Sequence, residues 1–173
     1  MITIKNVSSK DAALMAEVCR QSFIESHGSS APADDIDAYV ERVYNPLVVA
    51  QELDDAANIY KLVYYDNQVA GYSKLKLNTD HPRIAADHIS KMDRLYLLKE
   101  FYQLKIGKTL FEYNVQLSKE NQQKGMWLYV WKGNSRAVAF YQKAGFRVCG
   151  SYDFKISERH ANPNHLMFKD YEE

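Results

Sequence analysis

Residues 126–131, Met-Trp-Leu-Tyr-Val-Trp, are apolar on both alternating faces. A strand of that kind needs cover on both sides, so it belongs inside a sheet and not at its edge. The flanking residues supply that cover. Over 105–125 the residues Ile106, Leu110, Val115 and Leu117 fall inside a helical pattern that Gly125 is expected to stop. After the strand, Asn134 can cap a second helix and Gly145 can end it. Ala137, Phe140, Tyr141 and Ala144 share one face of that helix.

The rest of the chain fits the same plan. Residues 2–7 alternate as a first strand, and Ser8 or Ser9 can cap a helix carrying Leu14, Met15, Val18, Cys19 and Phe23. A small, polar loop follows at 26–35. Asp34 or Asp35 can start the next helix, and Pro46 breaks it and begins another. The period then changes to two. Residues 58–78 read as two strands around the turn pair Asp66-Asn67, and 89–98 as a further strand. Strands at 146–156 and 165–171 close the order. The expectation is an α/β (α+β) fold with one mixed, mostly antiparallel twisted sheet of six to seven strands and helices on both faces. A single domain over 1–173 is expected, without repeats.

Basic and acidic residues balance at 22 each, so charge gives no general reason to expect nucleic acid or an anionic membrane as partner. The first ten residues lack the apolar run of a signal peptide, and no stretch approaches the roughly 20 apolar residues of a membrane span. A cytoplasmic location is expected. Cys19 and Cys149 read as two thiols in a reducing compartment. The histidines at 27, 81, 88, 160 and 165 match no metal spacing, so no metal is expected.

Lys105-Ile106-Gly107-Lys108-Thr109-Leu110 ends like the phosphate loop of a nucleotide hydrolase. That loop needs a glycine at 102, where Tyr102 stands, so ATP is not the expected ligand. A strand, a short loop and a helix start still make an anion site, because first-turn amides lack internal partners. In open α/β sheets, ligands bind at such strand ends.

The segment from Asn134 to Phe146 has the pattern N-x-x-A-x-x-F-Y-x-K-x-G-F, with Lys143 in place. Together with the loop before Gly107 it resembles the acetyl-coenzyme A site of the GCN5-related N-acetyltransferase (GNAT) superfamily. The likeness runs along the whole element order. Residues 93–101, 127–131 and 139–146 are similar to the PaiA-type bacterial polyamine N-acetyltransferases. The first signature of the superfamily, Q/R-x-x-G-x-G/A, is matched only at Gly107, since Tyr102 and Lys105 depart from it.

The resemblance implies a set of roles. The backbone of Leu95, Tyr96 and Leu97 would pair with the pantetheine arm, and the Leu97 amide would polarise the thioester carbonyl. Gln103, Leu104, Lys105, Ile106, Gly107 and Lys108 would line the pyrophosphate of acetyl-CoA. Asn134 and Tyr141 would face the cofactor from the other side. Tyr141 would also protonate the departing thiolate.

An alkyl amine has a pKa of ~10.4, so a proton must leave before attack. The family's usual glutamate position is Lys91 here. Asp93 lies two residues on, on the same strand face, and is the candidate base through water, with His88 as its substitute. The acceptor would enter beneath the first helices, where Glu25, His27, Asp34, Asp35, Asp37 and Glu41 form an acidic stretch suited to a polycation. The expected activity is acetyl transfer to a primary amine, spermidine or spermine first. The alternatives are protein or peptide N-acetylation and a non-catalytic acetyl-CoA-binding regulator. The expected partner is a small-molecule amine, with no nucleic acid and no membrane; a homodimer is open to it.

Overall fold

The computed structural model describes residues 1–172. In chain order the elements are β1 (Ile2–Asn6), α1 (Ala12–His27), α2 (Ala33–Val43), α3 (Pro46–Asp54), β2 (Ile59–Tyr65) and β3 (Gln68–Lys76). They continue with β4 (Ser90–Leu97), α4 (Ile106–Glu120), β5 (Gly125–Trp131), α5 (Ser135–Lys143), β6 (Arg147–Lys155) and β7 (Ala161–Asp170). The seven strands form one sheet in the order β1-β2-β3-β4-β5-β7-β6. Every pairing is antiparallel except β4 with β5. The apolar run at 126–131 therefore sits inside the sheet, as its two faces require.

Local chemistry explains most boundaries. Asp66 and Asn67 both take positive φ, at 46° and 67°, the geometry of the tightest hairpin turns. Asn45 accepts the Val48 amide at 3.0 Å, and Pro46 opens α3. Asn134 accepts the Ala137 amide at 3.1 Å, and Gly145 follows α5 with φ of 100°.

Gly125 departs from expectation. It does not stop α4; it opens β5. The helix ends earlier, where the Asn121 side chain donates to the Leu117 carbonyl at 2.8 Å and Gln122 takes φ of 59°. A Cβ at Gly125 would lie 2.6 Å from the Lys169 carbonyl oxygen, so close strand packing is what requires glycine there.

Two cores flank the sheet. On one face α1, α2 and α3 bury Phe23, Tyr39 and Tyr44 against Leu62 and Tyr72. On the other, α4 and α5 bury Phe111 and Tyr141 against Met126 and Leu128, and Leu110 against Val63 and Ala70. Cys19 is buried and Cys149 exposed, both as free thiols. Among the described residues no helix is long and apolar enough to cross a membrane.

Candidate active site

The site begins as a fault in the sheet. β4 and β5 pair only at Ser90↔Met126 and Lys91↔Trp127, then diverge. Beyond that point, among the described residues, the β5-facing edge of β4 has no strand partner up to Leu97. On its other edge β4 carries a bulge. Leu75 faces Met92 and Lys74 faces Arg94, so Asp93 is the extra residue. The divergence opens a cleft lined by Leu95, Tyr96 and Leu97 from β4, Tyr129 and Trp131 from β5, and Asn134 and Tyr141 at α5. Those β4 and α5 residues are the ones expected there.

The cleft runs into a second hollow at the start of α4, with Leu97, Gly107, Arg136 and Phe140 lining both. Gln103 and Lys105 precede the helix with φ of 68° and 62°. Lys105 thus holds the left-handed conformation that a glycine adopts freely, at a cost of about 1–2 kcal/mol. The first bond within the helix runs from the Thr109 amide to the Lys105 carbonyl at 3.1 Å. The amides of 106–108 precede it and have no partner inside the helix. A Cβ at Gly107 would touch only the Leu97 side chain, at 3.4 Å, which leaves the helix start open to a ligand. Lys105, Lys108, Lys143 and Lys169 line this hollow, with Glu112 as the carboxylate among them. The cation-rich, amide-lined shape fits a pyrophosphate. Gln103, Lys105, Ile106, Gly107 and Lys108 all line it. Leu104 lines neither hollow and is exposed, so its side chain takes no part.

Arg136 was not expected in the site. Its guanidinium stacks on the Tyr102 ring, 3.7 Å from the centroid. Tyr102 therefore supports a cation where the family motif places Gln or Arg. Opposite β4, Tyr141 is buried in the wall of the cleft. Burial raises its phenol above the usual tyrosine range, and Arg136 offsets this in part. The phenol therefore keeps its proton at neutral pH, the state in which it can donate.

The other half of the cleft differs from expectation. Asp93 lines it, but both carboxylate oxygens are held: Oδ2 by Lys74 at 3.0 Å and Oδ1 by Lys91 at 2.9 Å. Lys74 is buried and also pairs with Glu52. Burial alone would raise the Asp93 pKa, but Lys74, Lys91 and Arg94 outweigh it and hold the carboxyl below its ordinary range. With both oxygens occupied by lysine ammoniums, the geometry favours an anchoring job over the proton-accepting one. His88 is exposed beside Asp87 and does not line the cleft. The acidic stretch lies elsewhere: Asp35 pairs with Arg159, Glu41 with Arg20, and Glu25 accepts the Lys99 amide. Asp34 and Asp37 are exposed and do not line the cleft.

The residues that do line this half include Phe23, Ser26, His27, Asn162 and Asn164. His27 closes the last turn of α1 and is not a loop residue. It stacks on Phe23 at 4.9 Å and lies 5.7 Å from the Tyr96 ring and 5.6 Å from the Trp131 ring. Burial lowers its pKa to about 4, so the imidazole is neutral at pH 7. Helical spacing alone could have placed His27 beside Phe23; nothing local could have placed Asn164.

Known proteins resemble the chain in sequence and in fold. The profile of the acetyltransferase (GNAT) family matches residues 19–146. A Lactobacillus delbrueckii subsp. lactis protein named as an uncharacterized N-acetyltransferase is 26% identical over 157 residues, covering 91% of each chain. A spermidine N(1)-acetyltransferase from Thermoplasma acidophilum is 28% identical over 85% of this chain and 89% of its own. The crystal structure of the PaiA N-acetyltransferase from Thermoplasma acidophilum with coenzyme A superposes with a TM-score of 0.78. That match has 24% identity and covers 99% of each chain.

Proposed function

Because the chain belongs to the acetyltransferase (GNAT) family and is an acetyl-CoA-dependent N-acetyltransferase, we propose that its acceptor is the primary amine of a small molecule, with spermidine and spermine first. The observation that carries this is the divided cleft. One arm offers an unpaired strand edge and a cationic hollow, the other a pocket lined by α1 and β7 residues, and Tyr141 lines the cleft. In this reading the β4 edge aligns the pantetheine arm and the α4 amides with Arg136 hold the pyrophosphate. Tyr141 supplies the proton that the departing thiolate takes. Acetyl-CoA brings the activated acyl carbon; the chain aligns it and keeps water out.

The polyamine choice is supported by the spermidine acetyltransferase relative. One observation favours a second acceptor, a peptide amine. The only carboxylate lining the cleft among the described residues is Asp93, and two lysines already neutralise it. A polycation would find no free anion there.

An acceptor panel tests both. Acetyl-CoA is mixed with spermidine, spermine, a lysine peptide and a peptide with a free N-terminus, and thiol release is followed. Faster release with a polyamine supports the first reading, and with a peptide the second. No amine-dependent release from the folded protein would overturn both.

A further inference from the structure

The hydrogen bonds around His27 favour one state of its ring. The Ser26 hydroxyl has one proton. Its Oγ lies 2.8 Å from the Ser22 carbonyl oxygen and 2.8 Å from His27 Nδ1. Ser26 sits in the last turns of a helix, where a serine donates readily to the carbonyl four residues back. Where that proton goes to the Ser22 carbonyl, Oγ accepts from the ring and Nδ1 carries the hydrogen. The other nitrogen, Nε2, is then a lone pair. Among the described residues Nε2 makes no hydrogen bond.

The end of α1 is also held in place. Asn162 donates to Ser30 Oγ at 2.7 Å, and the Ser30 hydroxyl donates to the His27 carbonyl at 2.6 Å. This ties the His27 backbone to β7. The same strand carries Asn164, two residues on and on the same face. Asn164 is 6% exposed, lines the cleft, and its buried Oδ1 has no partner. A buried carboxamide oxygen without a donor costs about 1–3 kcal/mol unless something fills the gap. Asn164 is paired in register with Trp131, whose ring lies beside His27. Two acceptors, an imidazole nitrogen and an unpartnered amide oxygen, thus belong to residues that line one pocket. A primary amine, with two N–H bonds on one atom, has the donors to satisfy both.

We propose that His27 Nε2 takes the proton from the attacking amine while Asn164 Oδ1 holds a second N–H of the same nitrogen. This rests on the amine-acetylation reading. The amine reaches the cleft neutral, having lost its first proton to bulk water. Its lone pair forms the N–C bond, and one N–H bond breaks toward Nε2. The C–S bond then breaks, and the thiolate takes the Tyr141 proton. His27 is left as imidazolium and Tyr141 as phenolate, and one proton passing through water restores both. Other charged or titratable groups face this cleft. They are Lys91, Asp93, Arg94 and Tyr96 from β4, Tyr102 from the loop before α4, Tyr129 from β5, and Arg136 and Tyr141 from α5.

The test has two arms. Nitrogen NMR on the wild-type protein at pH 7 should show His27 with Nδ1 protonated and Nε2 bare, assigned by loss of the signals in His27→Phe. An Nε2–H tautomer, or an imidazolium, overturns the proposal whatever the kinetics give. In the second arm, His27→Phe keeps the ring stack on Phe23 and removes both nitrogens. With the best amine of the panel, kcat should fall by about 10²–10⁴, the usual reach of a positioned base. Coenzyme A affinity should stay within about twofold, and the residual kcat should climb with pH as hydroxide takes over. Should that variant misfold, His27→Asn carries the same expectation. A folded variant with near wild-type kcat overturns the proposal and leaves the transferase reading intact. A wild-type protein silent toward every amine overturns the transferase reading, and this one with it.

Discussion

The guanidinium of Arg136 lies 3.7 Å from the centre of the Tyr102 ring, face on, at the junction of the two hollows. Tyr102 is a platform that holds the Arg136 cation near the helix start. Removing Arg136 should therefore weaken coenzyme A binding more than removing its platform. We expect Arg136→Ala to cost about 1.5–3 kcal/mol, the worth of a charge-assisted hydrogen bond, or roughly ten- to a hundredfold in Kd. Tyr102→Ala should cost about 0.5–1 kcal/mol, the worth of an exposed cation–π contact. Calorimetry with coenzyme A measures both. Equal affinity in Arg136→Ala and wild type would remove Arg136 from the phosphate site.

Asp93 ties two lysines into the floor of the cleft, one of them buried. Asp93→Asn should destabilise the fold by roughly 3 kcal/mol. That is the low end for breaking a buried ion pair, because Glu52 still holds Lys74. In a chain of this length that is roughly 6–12 °C of melting temperature. Turnover per folded molecule should fall little. An unchanged melting temperature with kcat lost by orders of magnitude would return Asp93 to the role of base.

The same pair sets an acid limit on stability. The folded Asp93 pKa lies below its unfolded value of about 3.9, so its contribution is complete above that value. It is lost as pH falls toward the folded pKa. Melting temperature should drop below about pH 4, and Asp93→Asn should flatten that drop. An identical acid limb in the variant would assign the drop to other carboxylates.

Much of this architecture was legible because local signals agree with long-range needs. The doubly apolar 126–131 run, the Asp66-Asn67 turn and the Asn134 cap each fix a local geometry that survives folding. Gly125 was misread because a glycine after a helical pattern is ordinarily a stop, and only its approach to the Lys169 carbonyl gives the true reason. The acidic stretch at 34–41 looked like an acceptor site because its ion partners, Arg159 and Arg20, lie far away in sequence or on another helix. His27 and Asn164 meet in one pocket only through the tie between α1 and β7, and no periodicity carries that information.

Lys105 offers a check on the backbone cradle. Lys105→Gly relieves the left-handed strain but loosens the unfolded chain, so stability should change by less than about 1 kcal/mol. Coenzyme A binding should weaken only by the lost exposed charge, about 0.2–1 kcal/mol. Lys105→Val, branched at Cβ, should lose both stability and affinity. Equal behaviour of the two variants in thermal melts and calorimetry would mean that the φ of 62° does not matter to binding.

The most direct test of acetyl transfer in this cleft is kcat and melting temperature measured on one preparation of Tyr141→Phe. The substitution keeps the ring that packs against Phe111 and Phe146 and removes only the hydroxyl. We expect an unchanged fold, coenzyme A affinity within a few-fold, and kcat lower by roughly 10²–10⁴. A folded Tyr141→Phe protein with near wild-type kcat, under conditions where chemistry limits the rate, would contradict the role given to Tyr141.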